Sequence, residues 1–314
     1  MNTLILEEMP NRFWKELENH QIMQWFSAEN IMFSEEIEII IIRTQTNFNE
    51  SYFKRFPNLK LVIRAGTGVD NIDLEAARKY GVRVCHTPEA NAISAFEHTL
   101  SFIFSLLKQQ YLMKNAVLNK HWKSKVQPNL EISDLKALVV GVGRIGTRVA
   151  NLLQQLGAEV LGVDPYLTET QWSERKVNPI SYVSGLKWCN LVTFHCPLTT
   201  ETKHYFSKAT LQLLSQQVFL INTARGGVVE EEAIAQGLNK GLLKGVGLDV
   251  YEEEPWEPAH FADSPHVLLS PHAGSYTEAA KNRLSLETIQ TWELFVKEGV
   301  IKEEVVLPGT PFSK

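Results

Sequence analysis

The segment 138–164 constrains the fold more than any other part of the chain. The apolar run Leu138–Val140 leads into Gly141-Val142-Gly143-Arg144-Ile145-Gly146, after which Ile145, Val149, Leu152, Leu153 and Leu156 recur on one helical face until Gly157. A second apolar run, Val160–Val163, then delivers Asp164, 18 residues beyond Gly146. Strand, glycine turn, helix and strand in that order make a βαβ unit. Gly141 allows the tight turn, Gly143 lets the backbone approach a pyrophosphate, and Gly146 lets helix and strand pack closely, with the free helical N–H groups aimed at the anion. Asp164, at the carboxyl end of its strand, can accept from ribose hydroxyls. Glycine turns alone are common, and it is the complete unit that points to a dinucleotide. Pro165 and Tyr166 follow Asp164 with no adjacent Arg, so a 2′-phosphate would meet a carboxylate. NAD is expected over NADP.

Short apolar runs alternate with helix-length amphipathic segments along nearly the whole chain, the pattern of parallel sheets covered by helices on both faces. Candidate strands are Leu4–Leu6, Ile37–Ile42, Leu61–Ile63, Val82–Cys85, Leu138–Val140, Val160–Val163, Leu191–Phe194, Val218–Ile221, Gly245–Leu248 and Val267–Leu269. Those before Phe96 suffice for a sheet of their own. From Phe96 to Leu107 apolar residues occupy every helical face, so a helix there is expected to be buried on all sides, at a domain junction or a subunit interface. A first boundary is placed at that point. A second long helix is expected to begin at Ser275, capped by its hydroxyl in a box with Glu278, and to run to Glu298. The expected domains are therefore 1–96 with 275–314, and 97–274 between them.

The 314 residues carry 31 Lys and Arg against 36 Asp and Glu, a net charge of −5. That balance offers no general attraction for phosphate backbones or anionic lipids, so neither nucleic-acid nor membrane partners are expected. The apolar stretch around Leu100–Leu107 is far short of the roughly 20 residues that cross a bilayer. Cys85, Cys189 and Cys196 are widely spaced with no Cys-x-x-Cys pair, which indicates neither a disulfide framework nor a thiolate zinc site, and no metal is expected. No basic, signal-like segment leads the chain. A soluble cytoplasmic protein is the working class.

Ligands of open parallel sheets bind beyond the carboxyl ends of the strands. Three such ends carry chemistry: Asn222-Thr223-Ala224-Arg225-Gly226-Gly227, Asp249-Val250-Tyr251-Glu252-Glu253-Glu254-Pro255, and Ser270-Pro271-His272-Ala273-Gly274. An Arg can pair with a substrate carboxylate through planar donors and polarise a neighbouring carbonyl. A protonated His can give its proton to the carbonyl oxygen as hydride reaches carbon, and take it back in the other direction. A Glu bonded to the far ring nitrogen favours imidazolium. Singly, each also reads as an ordinary feature: a loop charge, a solvated acidic run, a His capping a strand. Their coincidence downstream of a nucleotide loop points to reduction of a 2-keto acid.

The runs Gly141–Gly146, Val163-Asp164-Pro165, His195-Cys196-Pro197-Leu198-Thr199, Asn222–Gly227, Asp249-Val250-Tyr251 with Glu254-Pro255, and Pro271-His272 together resemble the NAD-dependent D-2-hydroxyacid dehydrogenases over nearly the whole chain. Arg64-Ala65-Gly66-Thr67-Gly68-Val69-Asp70-Asn71-Ile72-Asp73, with Thr87-Pro88 and Asn91, is most similar to the phosphoglycerate dehydrogenases within that family. The resemblance implies two doubly wound domains, a nucleotide-binding (Rossmann) domain inserted into a flavodoxin-like substrate domain, with a homodimer formed through the former. It places the catalytic Arg, Glu and His on Arg225, Glu254 and His272. It implies Gly141, Gly143, Arg144, Ile145 and Gly146 at the pyrophosphate, Asp164 at the ribose, and Cys196, Pro197 and Thr202 along the adenosine wall. Thr223, Ala224, Asp249, His272 and Gly274 fall near the nicotinamide, where Asp249 could accept from the carboxamide. Cys196 is read as packing. The amides of Gly66, Thr67, Gly68 and Val69 would meet the substrate carboxylate, as a nest of backbone N–H groups can. Arg43 matches a family Arg near the substrate.

The chain departs from the family in Asp134-Leu135-Lys136, where a Gly-Lys pair is usual, and residues 8 to 35 match nothing recognisable. It runs only about 40 residues past His272, so the carboxy-terminal regulatory domains of longer phosphoglycerate dehydrogenases, and serine feedback through them, are not expected. The leading substrate is 3-phospho-D-glycerate, at the head of serine biosynthesis, with hydroxypyruvate or glyoxylate close behind. Trp122-Lys123-Ser124-Lys125 offers two lysines to a phosphate from a neighbouring subunit. An NADH-dependent corepressor-like scaffold is the alternative of another class. Glu254 argues against a formate dehydrogenase, in which Gln takes that place. Closure of the two domains on the substrate is expected to exclude water.

Overall fold

A computed structural model describes residues 1–18, 25–27, 34–123, 128–258 and 261–305. The chain divides into two compact units, Met1–Ile93 with Tyr276–Lys314, and Ser94–Ser275. Both are doubly wound α/β units, each built on an all-parallel sheet.

In the first unit β1 (Asn2–Ile5), β2 (Trp25–Ser27), β3 (Ile37–Ile42), β4 (Leu61–Arg64) and β5 (Arg83–His86) pair in the order β2-β1-β3-β4-β5, the flavodoxin-like arrangement. Helices α1 (Asn11–Leu17), α2 (Glu50–Arg55) and α3 (Leu74–Lys79) alternate with them. Ile39, Ile41, Leu61, Ile63 and Cys85 turn to one face, against Phe13, Trp292 and Phe295. Ile40, Ile42, Val62 and Val84 turn to the other, against Phe48, Phe53 and Phe56. Burial on both faces is why β3 reads as one apolar run with little alternation. The free edge of β5 is covered by residues 303–305, which Arg83 clamps through two bonds of 2.9 and 2.8 Å to the Glu304 carboxylate. Trp292 and Phe295 come from the long helix Glu278–Glu298, which starts three residues later than its expected Ser275 cap. Thr277, in extended backbone, takes the Ala280 N–H at 3.1 Å, so Glu278 falls in the first helical position and closes no capping box.

In the second unit β6 (Lys136–Val140), β7 (Glu159–Val163), β8 (Asn178–Pro179), β9 (Leu191–Phe194), β10 (Val218–Asn222), β11 (Leu243–Leu248) and β12 (Val267–Leu269) pair in the order β12-β11-β10-β9-β6-β7-β8. The helices are α4 (Glu89–Leu107), which carries the chain in from the first unit, α5 (Gln110–Leu118), α6 (Arg144–Gln155), α7 (Glu169–Arg175), α8 (Tyr182–Trp188), α9 (Lys208–Leu211) and α10 (Glu231–Asn239). Strand order runs away from the β6–β9 pair in opposite directions, which opens a crevice at their carboxyl ends. The adjacent strands β10, β11 and β12 end beside it. β2 and β8 were absent from the expected strands. Asn178–Pro179 is an exposed two-residue edge with no apolar signal.

In the single chain, the helix through Phe96–Leu107, expected at a domain junction or a subunit interface, buries one stripe against the sheet. It begins at Glu89, and Phe102, Ile103, Leu106 and Leu107 pack on the sheet, but Ile93, Ser101 and Phe104 on other faces are exposed. One stripe therefore satisfies the sheet, and the rest of the apolar surface faces outward. No described helix is long and apolar enough to cross a membrane.

Candidate active site

The glycine turn follows β6 where the spacing predicts it. Gly141 has φ +86°, and a Cβ there would fall 2.6 Å from the Cys196 nitrogen; one on Gly146 would fall 2.0 Å from the Gly141 oxygen. Backbone packing demands both glycines. Gly143 differs, because no atom of the described residues lies within 4 Å of its missing Cβ. The protein leaves that space open at the head of α6, whose N-cap residue offers no side-chain bond to the first helical N–H groups. Asp164 accepts from the Val142 N–H at 3.0 Å through Oδ2 and from the Tyr166 N–H at 3.2 Å through Oδ1. Each oxygen keeps a second acceptor direction on which a ribose hydroxyl fits. Arg144 and Ile145 occupy the first helical turn. These residues fit the adenosine and pyrophosphate of a dinucleotide. The Arg175 guanidinium, from α7, donates to the Val142 carbonyl in the turn.

In the loop after β9, Thr202 Oγ1 donates to the Pro197 carbonyl at 2.6 Å and accepts from the Thr199 N–H at 2.8 Å, which shapes the turn carrying Cys196 and Pro197. Burial pushes the Cys196 thiol up to about 12, which suits packing and leaves no thiolate at neutral pH. Cys85 and Cys189 are likewise free and buried.

Arg225, Glu254 and His272 stand on the loops after β10, β11 and β12. The first two loops touch so closely that a Cβ on Gly226 would fall 1.7 Å from the Tyr251 oxygen. Asn222 is buried at the end of β10 and pins the Arg225 loop, donating to the Arg225 carbonyl at 2.9 Å and accepting from the Ala224 N–H at 3.1 Å. Arg225 Nη1 donates to the Ala224 carbonyl at 2.7 Å. His272 adopts the left-handed backbone, φ +51°, and its N–H bonds the Asp249 carbonyl at 2.8 Å. Such backbone in a residue other than glycine is uncommon and is held here by its surroundings. His272 Nδ1 lies 2.7 Å from Glu254 Oε2, and Glu254 Oε1 accepts from the Tyr251 N–H at 3.2 Å. Burial pushes the Glu254 carboxyl up, but the bonds to His272 and Tyr251 outweigh it and hold it below its ordinary value, as the carboxylate. Asp249 is buried and accepts from Ser270 Oγ at 2.6 Å, the Ala273 N–H at 2.7 Å and the Gly274 N–H at 2.8 Å. A Cβ on Gly274 would fall 2.7 Å from Asp249 Oδ2.

In the first unit the Gly66-Thr67-Gly68-Val69 turn needs a correction. The Gly66 N–H donates to Thr87 Oγ1 at 2.7 Å, so it is not offered to a substrate. Gly66 anchors the turn, with φ +141° and a missing Cβ that would fall 1.5 Å from the Arg64 guanidinium. His86 Nδ1 lies 2.7 Å from the Thr67 carbonyl. Among the described residues no hydrogen bond takes the N–H of Thr67, Gly68 or Val69. Arg43 follows β3 and donates from Nη1 to the Glu8 carbonyl at 3.0 Å. Its loop is clamped by Glu7, whose carboxylate accepts the N–H groups of Arg43, Gln45 and Thr46 at 2.8, 3.0 and 3.0 Å. Of the two lysines offered for a phosphate, Lys125 lies outside the described residues, as does Ser124.

Comparison with known families gives one decisive match. The family model for the NAD binding domain of the D-isomer specific 2-hydroxyacid dehydrogenases covers residues 100–274. The chain belongs to this family. It is 34% identical over 272 residues to the D-3-phosphoglycerate dehydrogenase of Bacillus subtilis (strain 168), which covers 87% of this chain and 52% of that protein. The chain spans about half the length of the curated relatives it matches. Among solved structures it is similar to the D-lactate dehydrogenase from Aquifex aeolicus complexed with NAD and lactic acid, with a TM-score of 0.85 at 27% identity, covering 98% of this chain and 100% of that one. A glyoxylate reductase from Paecilomyes thermophila shares the fold, with a TM-score of 0.86 at 21% identity over 97% of this chain and 98% of that one.

The residues that the sequence reading of this family member missed are those that hold others in place: Asn222, Ser270, Arg175 and Glu7. Asn222 ends an apolar strand, which is a usable signal. The other three act across 21 to 39 residues of chain and leave no local pattern.

Proposed function

We propose that the chain is an NAD-dependent oxidoreductase that interconverts a D-2-hydroxy acid and its 2-keto acid, with 3-phospho-D-glycerate and 3-phosphohydroxypyruvate as the pair. The observation that carries this reading is the 2.7 Å bond from His272 to Glu254, on a strand end beside the Arg225 loop and downstream of a dinucleotide turn. NAD, when bound, supplies the acceptor or donor of the hydride exchanged at C2. Arg225 pairs with the substrate carboxylate and draws electron density toward the C2 oxygen. His272 takes the hydroxyl proton as the C2–H bond breaks and the C=O bond forms, and returns it in reduction. Glu254 holds the ring by Nδ1, leaving Nε2 as the nitrogen that exchanges the proton. Arg43 and the amides of Thr67, Gly68 and Val69 are the first unit's donors for the substrate's anionic groups. Lys123 and Lys125 are the donors offered to a phosphate by a neighbouring subunit.

Phosphoglycerate is favoured by the Arg64–Asp73 run and by the names of the curated relatives. Its product would feed serine biosynthesis in the cytoplasm. A homodimer through the nucleotide-binding unit is supported by the exposed Phe104 and Tyr111, Val117 and Leu118 of α5, and Trp122, which is 75% exposed in the single chain. Sedimentation that finds only monomer refutes the dimer. The deciding experiment follows NADH oxidation against 3-phosphohydroxypyruvate, hydroxypyruvate, glyoxylate and pyruvate. Fastest turnover per substrate concentration is expected with the phosphorylated acid. A higher kcat/KM for hydroxypyruvate or glyoxylate moves the substrate to that acid, and a dead panel with intact NADH binding favours the corepressor-like scaffold.

A further inference from the structure

Helix α4, which the sequence reading left out of the site, sends two consecutive side chains to the strand-end loops. His98 Nε2 lies 2.8 Å from Ser270 Oγ, which lies 2.6 Å from Asp249 Oδ1. Burial pushes the Asp249 carboxyl up, but His98, whose Nε2 also lies 3.4 Å from Oδ1, and the bonds from Ser270, Gly274 and Ala273 outweigh it, so the group is a carboxylate and only accepts. The single Ser270 proton therefore goes to Asp249, and His98 donates to Ser270 from Nε2. Thr99 Oγ1 donates to the Ala95 carbonyl at 2.8 Å, which can only accept, and sits 2.8 Å from Thr223 Oγ1. Its own proton is committed, so Thr223 donates to Thr99. Asp249 and Thr223, from different loops, are both left with acceptor lone pairs alone.

We propose that His98 and Thr99 are positioning residues that fix Asp249 and Thr223 as acceptors, so that the site takes a pyridine ring bearing a carboxamide and rejects one bearing a carboxylate. The inference rests on the cofactor reading above. A carboxamide brings two N–H donors to the pair; a carboxylate brings none, and adds a negative charge facing Asp249.

The test is binding without turnover: purified protein is titrated with NADH, with its nicotinic-acid analogue, and with ADP-ribose, which has no pyridine ring. One unmatched acceptor pair corresponds to roughly tenfold tighter binding of NADH than of the acid analogue by the wild type. Thr99→Val releases the Thr223 proton to donate outward and narrows that ratio, whereas Thr99→Ser keeps it. His98→Ala weakens NADH binding by about fivefold, the scale of one neutral hydrogen bond, and His98→Gln, which retains a terminal amide donor, restores it. ADP-ribose binds every variant within about twofold of wild type, which also reports that each has folded. A wild type that does not discriminate overturns the proposal, as do Thr99→Val and His98→Ala proteins that match wild type, or that lose ADP-ribose in step with NADH. A wild type that binds none of the three overturns the cofactor reading itself.

Discussion

Glu254→Gln is the sharpest perturbation of the proposed chemistry, because it changes one atom and the structure dictates the consequence. Two donors converge on the carboxylate: the Tyr251 N–H at 3.2 Å on Oε1 and His272 Nδ1 at 2.7 Å on Oε2. An amide supplies one acceptor oxygen for the two. If that oxygen keeps Tyr251, the amide NH2 faces Nδ1, the ring must accept there, and its proton moves to Nε2, where it blocks proton uptake from substrate. If the oxygen keeps His272, an NH2 group opposes the Tyr251 N–H. A hydrogen bond to a charged partner contributes about 1.5–3 kcal/mol. His272 and Glu254 are 45% and 36% exposed, so water screens the pair and the lower end applies. About 1.5 kcal/mol on the transition state is roughly tenfold in rate, and a ring locked in the wrong tautomer multiplies that loss. The expected result is kcat/KM at least about tenfold lower in both directions alike, since the overall equilibrium is unchanged. The chemical step should also become slower relative to product release, so the primary isotope effect with a 2-deuterated hydroxy acid rises, while the NADH Kd stays put. Wild-type kcat/KM in the variant, or a loss matched by weakened NADH binding, refutes the role given to Glu254.

The glycine turn offers a paired test of the nucleotide site. Gly146→Ala puts a Cβ 2.0 Å from a backbone oxygen and should lower the thermal midpoint, with a loss on the order of 2 kcal/mol or more. Gly143→Ala meets nothing within 4 Å and should leave the midpoint nearly unchanged while NADH binding falls; intact binding in that protein contradicts the pyrophosphate assignment. Burial pushes the Glu7 carboxyl up, but the N–H groups of Gln45, Thr46 and Arg43 outweigh it and hold it below its ordinary 4.5. Its contribution to stability is therefore complete above about pH 4.5 and fades as pH falls through the lower folded value. The thermal midpoints of wild type and Glu7→Gln should differ at neutral pH and converge in acid. A gap that persists in acid shows that Glu7 acts through packing, with no part for its charge.

How much of this was legible in the sequence depends on how local each cause is. β3, β6, β7 and β9–β11 announce themselves because strands buried on both faces are apolar runs between turn residues, whereas two-residue β8 at the sheet edge buries nothing and carries no pattern. Ser275 and Thr277 are both competent helix caps, and backbone geometry, which no spacing rule contains, chose the second. The proposed catalytic trio was readable because Arg225, Glu254 and His272 each follow a strand whose carboxyl end a parallel sheet brings to one edge. What was not readable is orientation within that edge, and the glycines show why. In the sequence Gly66, Gly141, Gly143, Gly146 and Gly226 are the same letter. In the structure four of them are glycine because a neighbour would occupy the Cβ position, and Gly143 alone faces open space. For Gly143, which no neighbouring atom constrains, the proposed pyrophosphate supplies the reason. The same logic removes Gly66 from the candidate substrate donors, since its N–H and its missing Cβ are both accounted for within the chain, and leaves the amides of Thr67, Gly68 and Val69, whose N–H groups no hydrogen bond takes among the described residues.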